Sequence, residues 1–156
     1  MKIHVTAGTG CASTQLGAFD RALFQAGIAN LNLITLSSVI PAGAELVMAQ
    51  PQTYTAEGGW GDRLYVVMAD SRTSVPGETV WAGVGWAHDS SGRGLFVKFE
   101  GKSEEYIRES ITHSLNDLVE TRGIDAAQTD MRLTSSTCED APVCALVAAV
   151  YGSESW

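Results

Sequence analysis

The chain has 156 residues, enough for one domain with a substantial core, and 45% of them are hydrophobic, which excludes disorder. A formal net charge of −8, with Lys and Arg thinly spread and no basic run, argues against nucleic acid; it weakly favours a cationic ligand in a cleft, and keeping the chain soluble accounts for most of it. No apolar stretch approaches membrane-spanning length. The three cysteines, Cys11, Cys138 and Cys144, lack metal-ligand spacing and read as structural thiols in a reducing cytoplasm.

Lys2 to Ala7 alternates as a first strand rather than a signal peptide, and Gly8-Thr9-Gly10 then reads as a loop. No Lys-Ser/Thr follows these glycines, so a phosphate loop is excluded. Leu16, Phe19, Leu23 and Ala26 recur at helical spacing, and Gly27 is a natural stop. Leu31 to Leu36 is an apolar strand that runs into Ser37 and Ser38, just short of Pro41. Glu45 to Met48 is a short strand, and a polar, glycine-bearing loop fills Gln50 to Asp62.

Arg63 to Ala69 and Thr79 to His88 read as strands, and Asp89 to Gly94 as a hairpin turn into Leu95 to Glu100. Ser103 caps a long helix with Glu104 and Glu105 in its first turn, and Ile107, Ile111, Leu115 and Leu118 form its buried stripe. Gly123 ends that helix, and Thr129 to Ser135 and Val143 to Tyr151 close the chain as strands. Two helices among seven or eight strands define an α+β sandwich, with no linker or internal repeat. His4, His88 and His113 are too dispersed for a metal site. Trp81 and Trp86 are separated by an odd number, so they face opposite sides of their strand.

Gly17 to Pro41 resembles the pyruvoyl-dependent arginine decarboxylases, whose members read roughly NAFDxALxxAGIGNxNLxxxSSIxPP here. Val75-Pro76-Gly77-Glu78-Thr79 and Phe99-Glu100-Gly101-Lys102 are similar to two further segments of that family, and the likeness keeps its order from Val5 to Tyr151. The resemblance implies one domain over 1–156 with stacked mixed sheets flanked by helices (an αββα sandwich). It also implies a homotrimer, or a dimer of trimers, whose active sites lie between subunits.

The implied chemistry begins with self-cleavage. The Ser38 hydroxyl attacks the Ser37 carbonyl, the peptide becomes an ester, and β-elimination releases the acyl group. The resulting dehydroalanine hydrolyses, with loss of ammonia, to a covalent pyruvoyl group. A β chain, 1–37, and an α chain, 38–156, are the expected products. The ketone then forms a Schiff base with the amine of an amino acid, by implication arginine, and carbon dioxide leaves to give agmatine. No metal is required. By residue, the resemblance makes Ser38 the pyruvoyl source, Ser37 the donor of the scissile carbonyl and Asn32 an assistant to processing. Asp20 binds the guanidinium, with Leu23 and Leu31 as apolar walls.

One departure bears on activity. The family's proton-donor glutamate is replaced by Lys98, with Glu100 two residues on and on the same strand face. Three readings remain open: a decarboxylase using Lys98 or Glu100 as acid, a decarboxylase of another amino acid whose carboxylate meets Lys98, and a non-catalytic partner subunit of the same fold. Smaller departures are Ala42 in place of a second proline, and Ala29 in place of glycine beside the guanidinium.

Overall fold

The computed structural model describes all of residues 1–156. In chain order the elements are β1 (Lys2–Cys11), α1 (Gln15–Ala26), β2 (Asn32–Thr35), β3 (Val39–Ile40), β4 (Glu45–Met48), β5 (Arg63–Thr73), β6 (Thr79–His88), β7 (Gly94–Gly101), α2 (Glu104–Arg122), β8 (Gln128–Thr137) and β9 (Val143–Glu154). The strands form a five-stranded sheet of order β2-β5-β9-β1-β4 and a four-stranded sheet of order β3-β7-β6-β8. β1 with β4 and β2 with β5 are parallel pairs, and the remaining pairs are antiparallel. The expected α+β sandwich is present.

Strand alternation sorts the apolar residues into three layers. Ile3, Val5, Val67, Val84, Trp86, Phe96 and Val147 interdigitate between the two sheets. Leu64, Val66, Cys144, Leu146 and Ala148 on the outer face of the larger sheet meet Ala18, Ala22 and Ala26 of α1. Ala87 and Val97 on the outer face of the smaller sheet meet Ile107, Ile111 and Leu115 of α2, with Trp81 packed against them. Trp81 and Trp86 therefore lie on opposite faces of β6, as their spacing requires.

Both helices end as the sequence suggests. Ser103 accepts a bond from the Tyr106 N–H at 3.3 Å, and Gly27 and Gly123 take left-handed C-cap conformations at φ 77° and 60°. Two expectations are corrected. Gly8-Thr9-Gly10 is strand, not loop, because β1 runs to Cys11 with β9 alongside. A Cβ at Gly8 or Gly10 would stand 2.1 Å from the Ala22 carbonyl oxygen or 2.0 Å from that of Ala18. These glycines are bare so that the backbone of α1 can settle onto the strand. That close approach also rotates the buried stripe onto the alanines and leaves Leu16 70% exposed, outside the core.

β6 carries the same device under α2. A Cβ at Gly83 or Gly85 would meet Ile107 Cγ2 at 2.7 Å or Ile111 Cγ2 at 2.1 Å. Two segments quoted for the family likeness also meet. Lys102 follows β7, Glu78 precedes β6, and their side chains pair at 2.8 Å.

Candidate active site

β2 belongs to one sheet and β3 to the other, so the chain between Leu36 and Ser38 crosses the sandwich. Both sides of this crossing are tied. The Leu36 N–H donates to the Val66 carbonyl at 2.8 Å, and the Ser38 carbonyl accepts from the Phe96 N–H at 2.7 Å. One residue further, the Val39 carbonyl accepts from Tyr151 Oη at 2.8 Å. The Tyr151 ring packs edge-on to Phe96 at 6.1 Å, and burial pushes its hydroxyl pKa up to about 12. The Ser37 carbonyl between these anchors accepts no backbone bond. The Ser37–Ser38 peptide is thus clamped on either side and free in the middle.

Ser37 opens onto a hollow of about 390 Å³ that it shares with Phe96, Lys98 and Phe99 of β7 and with Ser114, Asp117 and Leu118 of α2. β3 has only two residues and pairs with β7 at Leu95 and Gly94 alone, so the rest of the β7 edge is uncovered there. Lys98 is exposed on that edge and makes no salt bridge. Glu100 is exposed on the same strand face, beyond the residues that line the hollow. Ser38 is half-buried at the crossing.

A second hollow, of about 350 Å³, gathers Asp20 and Phe24 of α1 with Ala29, Asn30, Leu31, Asn32, Trp60 and Gly61. Asp20 and Phe24 are four apart and share a helix face. The floor is fixed at Gly61, whose carbonyl accepts from Asn32 Nδ2 at 2.5 Å and from Trp156 Nε1 at 3.0 Å. The Gly61 N–H in turn donates to the Asn30 carbonyl at 2.8 Å.

The structure therefore brings Ser37 and Lys98 together, and separately Asp20, Leu31 and Asn32. It does not bring Asn32 and the serine pair into one hollow. Leu23 lies buried beneath α1 in the core and lines neither. Phe24 takes the position beside Asp20 that the sequence reading gave to Leu23, and the i+4 spacing from Asp20 was the available signal. Trp60 and Tyr151 carried none, since one sits in an aperiodic loop and the other reaches across from the far strand.

Comparison with known proteins shows the family. The family model described as pyruvoyl-dependent arginine decarboxylase matches residues 2–155. The chain is 31% identical over 153 residues to a pyruvoyl-dependent arginine decarboxylase of Halobacterium salinarum, covering 97% of this chain and 94% of that one. It is 33% identical over 152 residues to the protein so named from Thermococcus sibiricus, covering 96% and 93%. With the one from Methanocaldococcus jannaschii it shares 36% over 116 residues, covering 69% and 66%. The chain belongs to the pyruvoyl-dependent arginine decarboxylase family.

Proposed function

We propose that this protein is a self-cleaving decarboxylase that converts arginine to agmatine and carbon dioxide, with Ser38 as the source of its pyruvoyl group. The observation that carries the reading is the clamped Ser37–Ser38 step. Phe96 fixes the Ser38 carbonyl and Tyr151 the Val39 carbonyl, while the carbonyl to be attacked has no backbone partner. Holding a hydroxyl beside a carbonyl in this way raises its effective concentration. Ser38 Oγ adds to the Ser37 carbonyl carbon and the C–N bond breaks to leave an ester. β-Elimination then frees residues 1–37 with a terminal carboxylate, and hydrolysis of the new unsaturated residue releases ammonia. The residues present fit the pyruvoyl group, because the half-buried Ser38 would carry it at the crossing.

Once formed, the ketone supplies an electron sink for loss of carbon dioxide from the α-carbon of a bound amino acid. The chain's own side chains do the rest. Asp20 binds the guanidinium through charge-assisted bonds, and Leu31 and Phe24 wall its aliphatic stem. Lys98 Nζ is the group positioned to hold and deliver the proton, since it shares the hollow of Ser37 and Glu100 does not. The two hollows are halves of one site, and a homotrimer would set the Asp20 half of one copy against the Ser37 half of the next. Asn32 acts from the Asp20 half.

Intact mass and carbon dioxide release test this reading together. Two chains, the larger blocked at its first residue by a carbonyl, are expected, with turnover of arginine and not of lysine, ornithine, histidine or aspartate. Ser38→Ala is expected to leave the precursor whole, and a cut Ser38→Ala chain would refute the nucleophile. The second reading, a non-catalytic subunit, is favoured by one observation, the lysine standing where the family has its acid. A cleaved protein inert toward every amino acid would establish it. Lys98→Met separates the acids: unchanged arginine turnover would remove Lys98 from the role.

A further inference from the structure

Four aromatic rings lie near the arginine-side half of the molecule, and they differ in what covers their faces. Arg63 stacks over Trp156 at 4.7 Å and Arg72 over Phe19 at 3.9 Å. Trp60 and Phe24 hold no cation of the chain, although within a single copy they are 87% and 59% exposed. Asp20, a carboxylate with no salt bridge in the chain, lines the same hollow as both rings. One hollow thus combines an unpaired anion with two uncovered π faces. Only a cation satisfies both.

The segment that presents Trp60 is built to hold it out. Gly58 and Gly61 adopt φ 135° and 86°, conformations open to glycine, and a Cβ at Gly58 would stand 3.0 Å from Leu31 Cδ2. Asp62 Oδ2 accepts from the Gly59 N–H at 2.7 Å, and the Asp62 N–H donates back to the Gly59 carbonyl at 3.1 Å. Asn32 and Trp156 hold the Gly61 carbonyl from the other side. The backbone on either side of Trp60 is thus fastened, and the indole it carries stands exposed at the hollow that Asp20 lines.

We infer that Trp60, with Phe24, forms an aromatic clamp that stacks on the flat cationic end of the substrate while Asp20 takes its N–H groups, making Trp60 a specificity residue for guanidinium over ammonium. A delocalised planar cation presents a face to the indole and an edge to the carboxylate at once, whereas a compact, strongly hydrated ammonium offers only a point charge. The inference rests on the reading of Asp20 as the guanidinium site. It also gives Asn32 a positioning role, since its amide secures the loop that carries the clamp.

The test measures equilibrium binding of agmatine and of 1,4-diaminobutane to the processed protein by calorimetry, together with KM and kcat for arginine. Trp60→Ala is expected to weaken agmatine about tenfold and raise KM for arginine by a similar factor, with precursor cleavage complete. Trp60→Phe is expected to recover most of that loss, and 1,4-diaminobutane to be affected by about twofold or less. Wild-type agmatine affinity in Trp60→Ala, alongside weakened binding in Asp20→Asn, would overturn the clamp and leave the Asp20 reading standing. Wild-type affinity in Asp20→Asn would instead overturn the guanidinium site itself. A fall in sedimentation coefficient of Trp60→Ala, with agmatine and 1,4-diaminobutane weakened alike, would overturn the inference by making Trp60 a contact that holds the copies together.

Discussion

The hollow beside Asp20 and the hollow beside Ser37 are held in opposite ways. The first is framed by α1, whose backbone rests on β1 over Gly8 and Gly10, and by a loop fastened at Gly61 from three directions. The second lies where the chain leaves one sheet for the other, beside a two-residue strand and an uncovered β7 edge. The proposed recognition is thus mounted on well-fastened parts. The bond proposed to break is mounted where regular hydrogen bonding lapses. A carbonyl locked into a sheet ladder would resist attack, whereas one between two anchors is held in place without being stabilised.

Separating the halves genetically gives the largest expected effect. Asp20→Asn and Ser38→Ala each remove one half, and each alone is expected to lower arginine turnover by about a hundredfold or more. Co-expressed in equal amounts, they are expected to restore roughly a quarter of wild-type activity if each site draws on two copies of a cyclic homotrimer. Activity that stays at the parental level would place both halves in one chain.

The rigid half can be loosened at its base. Gly10→Ala forces a methyl against the Ala18 carbonyl and is expected to cost about 3 kcal/mol, near 10 °C in Tm, with weaker arginine binding as α1 and Asp20 shift together. Gly85→Ala meets Cγ2 of the fully buried, β-branched Ile111 instead of a backbone atom, and about 2 kcal/mol is expected, less than for Gly10→Ala because a side chain and not a helix backbone must give. Thermal unfolding by circular dichroism checks the order, and equal costs would show that α1 is no more tightly seated than α2.

On the cleavage side, Tyr151→Phe removes the donor to the Val39 carbonyl, about 1 kcal/mol, and is expected to slow precursor cleavage several-fold without abolishing it. The same residue sets an alkaline limit. Its pKa in the fold, about 12, lies above the ordinary 10, so its contribution is full below pH 10 and disappears as pH rises from 10 toward 12. Unfolding free energy should fall less steeply with pH across that window for Tyr151→Phe than for the wild type.

The smallest effect is a labelling difference. Cys11 is exposed, Cys138 and Cys144 are buried, and burial pushes the Cys144 thiol up to about 12. One thiol is expected to react with a neutral-pH disulfide reagent in the native protein. Cys144 pairs with Gly10 across β9 and β1, on the face that α1 covers. Its labelling should therefore quicken in Gly10→Ala, and an unchanged rate would mean that α1 stays seated.

The parts of this molecule that follow local rules were legible in its sequence. The stripe at Ile107, Ile111 and Leu115, the Ser103 cap and the stops at Gly27 and Gly123 all stand where their spacing predicts. Gly8 and Gly10 misled because glycine signals a turn locally, while here the reason for glycine is a helix backbone arriving from above. Leu16 entered the expected stripe by periodicity and was displaced from it by that same approach. For the site, the residues carried by the family likeness fell into two groups, since one chain's order does not say which halves meet. Lys98 beside Ser37 depends on which β7 residues β3 leaves uncovered, and no periodicity in either strand records that.

The place of β1 governs what the proposed cut can release. β1 lies inside the larger sheet, hydrogen-bonded to β9 on one side and β4 on the other, and α1 and β2 belong to the same 1–37 fragment. Severing the chain after Ser37 therefore frees no piece, because the shorter product is woven through the longer one. The two must have folded as a single thread beforehand. Once unfolded, the separate products would have to find each other as a bimolecular pair, so the proposed maturation would act as a one-way ratchet on the fold.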